Sequence, residues 1–294
     1  MERFCVTKEE NKSLDKNNGK SYFARVVHAW MDGLMLASNF ITDLMAKGRY
    51  TFIAEEAAKG LGQSVVTTRA ALRRLRKKGE IAMPYRGFWV IVPPEYRIIG
   101  CLPPEQFIPQ LMEHLGETYY AGMLTAAQYH GAAHHRPQLF QVVVAKNRPP
   151  IECGKVRVQF VARNNVADIP TLPFRTPRGD LNLSTPEATA FDLVGYPEHS
   201  AGLDNVATVL SELAERLDNR KLAEIAKLSP IVWSQRLGYL LDLVGAGDKA
   251  SDLAEYVAGK ASSPAPLDRA KPFKGAEKNE RWRIMINTEV EADV

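Results

Sequence analysis

Three groups of residues in this chain have types and spacings that could do chemistry. The first is cationic. Arg69, Arg73, Arg74, Arg76, Lys77 and Lys78 fall within ten residues with no acid among them. Like charges at i,i+4 weaken an isolated helix by roughly 0.2–0.5 kcal/mol per pair. A segment that had only to be helical would mix in Glu. Uniform sign is explained if phosphates neutralise it and release their counterions. The second group is imidazole. YHGAAHH sets His130 and His134 at i,i+4 with His135 adjacent, so one helix could offer two nitrogens to a metal. A zinc-protease motif needs Glu after the first His, and Gly131 stands there. No third ligand is identifiable, and these residues read as hydrogen-bonded or exposed histidines. The third group is acidic: Glu187, Asp192, Glu198 and Asp204. Ser184-Thr185-Pro186-Glu187 reads as a capping box, with Ser184 as the N-cap and Glu187 answering from N3. The other acids sit singly, with no nucleophile–base pair beside them. Gly245 to Asp248 (GAGD) is too short for a dinucleotide loop and follows a helix rather than a strand. Walker and Gly-x-Ser-x-Gly motifs are absent. The expectation is a protein that is not an enzyme, with no catalytic residue, cofactor or metal.

The elements around the cationic run give it a setting. Ser38 or Asn39 could cap a helix carrying Phe40, Ile41, Leu44 and Met45, closed by Gly48. Tyr50 to Phe52 could be a strand. Ile53 to Lys59 reads as a short helix closed by Gly60-Leu61-Gly62. Ser64 is a good N-cap for a helix reaching Lys78, with Gly79 as its stop. Ile81 to Pro84 and Phe88 to Val92 are β-rich runs separated by Tyr85-Arg86-Gly87, a hairpin. That order spells a winged helix-turn-helix over residues 38–97. In its second helix Val65, Thr68, Leu72 and Leu75 share a face that would pack on the preceding helices, leaving the cations opposite. Gln63, Ser64, Thr67 and Thr68 near the helix start could reach base edges or phosphates, although Thr68 could instead serve the core. Arg69 is the candidate for bidentate guanine readout. Arg73, Arg74, Arg76 and Lys77 would meet phosphates, and Arg86 at the hairpin tip would enter the minor groove or contact phosphate. Phe88, Val90 and Val92 share a strand face and read as core. A winged helix used only for protein contact is the bland alternative, against which the unbroken basic run counts.

Charge and composition agree with this reading. Residues 38–97 carry eleven Lys/Arg against five Asp/Glu, while the whole chain of 294 residues is only +4. A basic module on a near-neutral body is the footprint of a polyanion binder. Apolar residues make up 45% and charged residues 24%, which excludes a wholly disordered chain. No stretch approaches the 18 to 20 uncharged apolar residues of a membrane span. The first 20 residues are polar, with no signal-peptide core. They are expected to be a disordered leader, followed by a helix through Tyr22, Val26, Trp30 and Leu34. Cys5, Cys101 and Cys153 are odd in number and widely spaced. They read as free thiols of a cytoplasmic protein.

Beyond residue 97 the pattern mixes helix and strand. Pro103-Pro104 should open a helix with Phe107, Leu111 and Leu115. A small-residue helix runs through GMLTAAQYHGAA. Leu139 to Ala145 and Val156 to Val161 read as strands, and a hairpin is expected around Pro177 to Asp180. Four helical segments fit between Pro186 and Ala258. A Pro- and Lys-rich connection spans Lys260 to Glu280, and Trp282 to Asn287 reads as a last strand. The fold class expected is α+β, with an N-terminal winged helix-turn-helix and a larger mixed α+β C-terminal domain. The expected divisions are 1–37, 38–97 and 98–294.

Two long motifs and one strand pair carry a resemblance. YYAGMLTAAQYHGAAHHRPQLFQVVV (Tyr119 to Val144), the strand pair through Lys155 to Phe160, and STPEATAFDLVGYPEHSAGLDNVATVLSEL (Ser184 to Leu213) are similar to the C-terminal domain of AbiEi-type antitoxins. These are the regulators of type IV toxin–antitoxin, or phage-abortive, systems. The likeness covers roughly Pro103 to Asn287, and the winged helix fits the family's N-terminal domain. The segment before Ser38 is longer than the family pattern. The resemblance implies an autorepressor that binds inverted repeats in its own promoter, on double-stranded DNA. It also implies a cognate AbiEii-like nucleotidyltransferase toxin, opposed directly or indirectly. It assigns no antitoxic residue. A plain transcription factor whose C-terminal domain senses a ligand is the alternative, followed by a nucleic-acid enzyme targeted by its winged helix.

Overall fold

The computed structural model describes residues 35–132 and 138–293. The polar leader, the helix expected through Tyr22 and Leu34, Cys5, His134 and His135 lie outside the described residues.

A helix, α1, occupies residues 35–46. It already includes Ser38, whose carbonyl accepts from the Thr42 hydroxyl at 3.0 Å, so Ser38 is not the expected cap. The apolar stripe that buries the helix starts earlier, at Ala37, and continues through Ile41 and Leu44. Strand β1 (Thr51–Ile53) leads into α2 (Ala54–Leu61), which ends on Gly62 at φ +60°. Helix α3 (Val65–Lys77) follows, then the hairpin of β2 (Ile81–Tyr85) and β3 (Phe88–Ile91). The three strands form an antiparallel sheet in the order β1-β3-β2. The ladder shifts register between Ala82 and Tyr85, where Pro84 on the edge strand has no N–H to give.

That small sheet is buried on both faces. Phe52, Ile81, Trp89 and Ile91 pack on α1, α2 and α3 through Ile41, Leu44, Ala57, Leu72 and Leu75. Ala82, Phe88, Val90 and Val92 face the other way, onto Cys101, Leu102, Phe107, Leu111 and Val144. The expectation that Phe88, Val90 and Val92 are core is right, but the core they enter is that of the C-terminal body.

Short 3-10 turns at Pro94–Tyr96 and Pro104–Gln106 carry the chain to α4 (Ile108–Leu115), so the helix expected from Pro103 is broken at Phe107. The body's sheet comprises β4 (Tyr119–Ala121), β5 (Phe140–Val144), β6 (Ile151–Cys153), β7 (Val156–Ala162), β8 (Thr171–Thr176) and β9 (Gly179–Ser184). Helix α5 (Met123–Tyr129) joins β4 to the segment before β5. The strand order is β6-β7-β5-β4-β9-β8, with β5/β7 and β4/β9 parallel and the other pairs antiparallel. Alternation along the strands sends Tyr120, Val143 and Val161 to one face and Tyr119, Val142, Val144 and Leu183 to the other.

Five helices cover the first face, one more than expected: α6 (Pro186–Gly195), α7 (Gly202–Leu213), α8 (Asn219–Lys227), α9 (Ile231–Leu243) and α10 (Ser251–Lys260). The N-cap of α6 is Thr185, which accepts from Ala188 N–H, and not Ser184. Pro186 occupies the first turn, and Glu187 instead accepts from Asp218 N–H at 3.1 Å, so the expected capping box is not formed. The connection after α10 contains β10 (Ala265–Pro266) and β11 (Glu277–Asn279), which flank β12 (Ile284–Ile286). Trp282 is fully buried, and a Cβ on Gly238 of α9 would stand 2.1 Å from its ring. The class is therefore mixed α+β, with helices on one face of the larger sheet and α4 with the small sheet on the other.

Candidate nucleic-acid interface

Helix α3 is held at its start by Ser64, whose Oγ accepts the Thr67 N–H at 3.2 Å and pairs with the Thr67 hydroxyl at 2.9 Å. The cap fixes where the helix begins, and Leu72 and Leu75, neither of them exposed, fix its rotation. The rest follows from the 3.6-residue period. Arg69, Arg73, Arg76 and Lys77 are exposed, and Arg74 is half-buried. Lys78 reaches Glu80 at 4.0 Å, whereas Arg69, Arg73, Arg76 and Lys77 make no ion pair among the described residues. Ser64 and Thr67 are exposed beside them, and Gln63 is half-buried with its Oε1 enclosed.

Thr68 leaves the candidate surface. It is fully buried between α3 and its neighbours, so it serves the core and cannot touch a ligand there. Val66 takes its place as a residue the sequence reading missed. It is 78% exposed at the start of α3, one turn before Arg69. An exposed Val beside polar groups at a helix start is the only signal, and a weak one.

The macrodipole separates these cations further. Arg74, Arg76 and Lys77 lie in the last turn of α3, where positive charge is favoured by the helix's own carbonyls. Arg69 and Arg73 lie outside that turn and gain little from it.

Arg86 is exposed at the hairpin tip, next to Gly87 at φ +83°. The hairpin is braced from behind. Tyr85 meets Arg148, which is ion-paired with Glu117, and the Phe88 and His114 rings lie tilted with centroids 5.7 Å apart. Arg178 of the body lies 3.8 Å over the Tyr50 ring, clamping the other end of the small sheet. The basic helix is thus presented on a fixed frame.

The other candidate groups are used internally. The His130 ring donates through Nε2 to Ser184 O at 2.7 Å, with the carbonyl fixing the tautomer, and burial lowers its pKa. Asp192 is fully buried. Arg163 Nη1 meets its Oδ1 at 2.5 Å and the Tyr120 hydroxyl donates to its Oδ2 at 3.0 Å. Burial pushes the Asp192 carboxyl up to about 6, against the pull of Arg163 and Tyr120. Arg163 is completed by Asn165, Ser229, the Leu228 carbonyl and the Trp233 ring. This network ties β4, β7, α6 and α9 together; Asp192 was expected to stand alone.

The stretch that contains this network matches a known family. Residues 120–243 fit the family model of the AbiEi antitoxin C-terminal domain. Those residues are similar to an AbiEi antitoxin C-terminal domain. The match supports an antitoxin of a toxin–antitoxin system. No curated protein matches the chain. Among solved structures, the crystal structure of RV2827C protein from Mycobacterium tuberculosis superposes with a TM-score of 0.63 at 18% identity. The match covers 85% of this chain and 90% of that one, too much to lie within residues 98–294 alone. The larger domain and part of the N-terminal unit thus share an overall fold with that protein. Among the described residues no helix is long and apolar enough to cross a membrane.

Proposed function

We propose that residues 38–97 are a winged helix-turn-helix that binds double-stranded DNA, and that the AbiEi domain, residues 98–294, opposes a nucleotidyltransferase-type, AbiEii-like toxin. The protein would repress its own operon at promoter inverted repeats. Its role is binding, not catalysis. The observation that carries the DNA reading is the placing of Arg69 and Arg73. They are exposed, unpaired and outside the helix turn that would favour them. Nothing within the described fold offsets their repulsion, whereas a phosphate or a guanine edge would.

In this reading α3 enters the major groove with its capped end leading. Arg69 reads guanine, and Val66 lies where a thymine methyl would be met. Ser64, Thr67 and the amide of Gln63 contact bases or phosphates near the helix start. Arg73, Arg74, Arg76 and Lys77 follow the backbone, and Arg86 reaches it from the hairpin tip.

The test is fluorescence anisotropy of the full chain on its own upstream DNA and on scrambled DNA of equal length, at several salt concentrations. Tight binding that survives moderate salt only on the upstream DNA is expected. Equal, salt-labile binding to both would reduce the unit to a nonspecific anchor. Rescue of growth on co-expression with a neighbouring nucleotidyltransferase gene tests the antitoxin half.

A second reading has one observation in its favour. A cleft of about 380 Å³ lies between the linker and the sheet, lined by Tyr96, Ile99, Gln128, Tyr129, Lys155 and Arg157. That size suits a small ligand, and the cleft touches the linker that leads from the small sheet. A ligand-sensing regulator would change its DNA affinity when this cleft is filled.

A further inference from the structure

Two of the three cysteines meet where the N-terminal unit rests on the body. Lys155 N–H donates to Ile99 O at 2.7 Å. Gly154 lies against Gly100 so closely that a Cβ on it would stand 2.0 Å from Ile99 O. Cys101 follows Gly100 and Cys153 precedes Gly154, and both cysteines are buried in the same apolar cluster. A disulfide needs Cα atoms about 4.4–6.8 Å apart, a separation this close approach of the two backbones allows.

The thiols are hydrogen-bond partners, with Cys101 donating to the Cys153 sulfur. That bond, with help from the Arg76 guanidinium and the Met83 N–H, holds Cys153 below the ordinary thiol range despite its burial. The same bond, together with burial, pushes Cys101 up. One sulfur is thus set to attack and the other keeps its proton until it resolves the product. Cys101 is fully buried, whereas Cys153 is 8% exposed on β6, an edge strand of the larger sheet. Both groups that favour the Cys153 thiolate from outside the pair belong to the N-terminal unit, Arg76 on α3 and Met83 on β2.

We propose that Cys101 and Cys153 are a redox-active dithiol that a hydroperoxide converts into an intrachain disulfide. The Cys153 thiolate attacks one peroxide oxygen and the O–O bond breaks, giving a sulfenic acid and hydroxide. The Cys101 sulfur then attacks the Cys153 sulfur and the S–O bond breaks. The second hydroxide takes the Cys101 proton and leaves as water. Two thiols give up two electrons to one peroxide, and two waters form once the first hydroxide is protonated. The product no longer holds the thiolate that Arg76 and the Met83 N–H face, so oxidation loosens β2 from β6. This inference stands apart from DNA binding.

The experiment uses the full chain, reduced, freed of reductant and treated with one equivalent of hydrogen peroxide. Thiol titration in denaturant should fall from three to one, and dithiothreitol should restore it. Peptide mapping should join Cys101 to Cys153. Amides of residues 81–85 should exchange faster in the oxidised form. Cys101→Ala or Cys153→Ala should remove the bridge; should either variant fail to fold, mapping of the native chain decides alone. Retention of all three thiols, a bridge to Cys5 or between two chains, or over-oxidation of Cys153 without a bridge would overturn the proposal. A bridge that leaves exchange at 81–85 unchanged would overturn its coupling to β2.

Discussion

Two arginine-bearing regions of this molecule treat charge in opposite ways. Arg163 is only 4% exposed, and the acid, carbonyl, hydroxyl, amide and ring around it all come from the same chain. Arg69 and Arg73 stand in solvent with no carboxylate beside them. A buried ion is tolerable only when its partners are present, because desolvation costs several kcal/mol per ion. An exposed one is tolerable without partners, and repulsion along a helix costs only tenths. The difference shows which arginines are finished by folding and which still have a charge to share. The first belong to stability, and the second are the ones proposed for recognition.

The comparison is broken most directly by exchanging effects. Arg163→Ala leaves Asp192 buried without its cation and should cost about 3–5 kcal/mol in urea unfolding at pH 7.5. The loss should shrink at pH 5, where the stranded carboxyl takes a proton. A change below about 1 kcal/mol would mean that the pair is not the keystone of the larger domain. Arg69→Ala with Arg73→Ala should do the reverse. The bidentate Arg69 contact is worth about 1–3 kcal/mol and the Arg73 phosphate contact adds to it, so affinity for upstream DNA should fall by about a hundredfold or more. Stability should move by less than about 0.5 kcal/mol. Unaltered affinity would remove α3 as the recognition helix.

A pH series sharpens the buried side. The Asp192 carboxyl titrates near 6 in the fold and near 4 in the unfolded chain. Between those values the folded state holds more protons, so the contribution of Asp192 to stability is full below pH 4 and is lost as pH rises through 6. Relative to Asp192→Asn, which cannot titrate, the native chain should lose on the order of 2–3 kcal/mol between pH 4 and 7. A flat difference would place the carboxylate's charge in both states. A smaller effect is expected at Thr68. Its buried hydroxyl has no partner, so Thr68→Val should stabilise by about 1 kcal/mol and leave DNA affinity unchanged.

The two regions were unequally legible in the sequence. The basic helix could be read residue by residue, because its cap, its apolar spacing and its stop all lie within sixteen residues, Ser64 to Gly79. Thr68 failed because the same period that buries Leu72 and Leu75 buries it too, and a hydroxyl does not show which side it serves. The Arg163 network was out of reach. Its acid lies 29 residues from the arginine and its phenol 72 residues from the acid, and only the sheet brings them together. Local spacing also misplaced the capping box, since Pro186 moves the helix start to Thr185 and Glu187 finds Asp218 instead. The docking of the small sheet did leave a trace. Phe88 to Val92 is apolar at every position, the mark of a strand buried on both faces, where a hairpin open to solvent would alternate.

That docking governs the last prediction, at Arg86. A hairpin tip on a free module could follow the groove, but here Tyr85 and Phe88, on either side of the tip, are braced by Arg148 and His114. Arg86 therefore has only the reach of its own side chain. One phosphate contact lowers the slope of log K against log salt by about 0.9. Arg86→Ala should reduce the slope by that amount and weaken binding alike on upstream and scrambled DNA. A loss confined to particular A·T steps would instead give Arg86 a minor-groove reading role, and would require the bracing residues to yield.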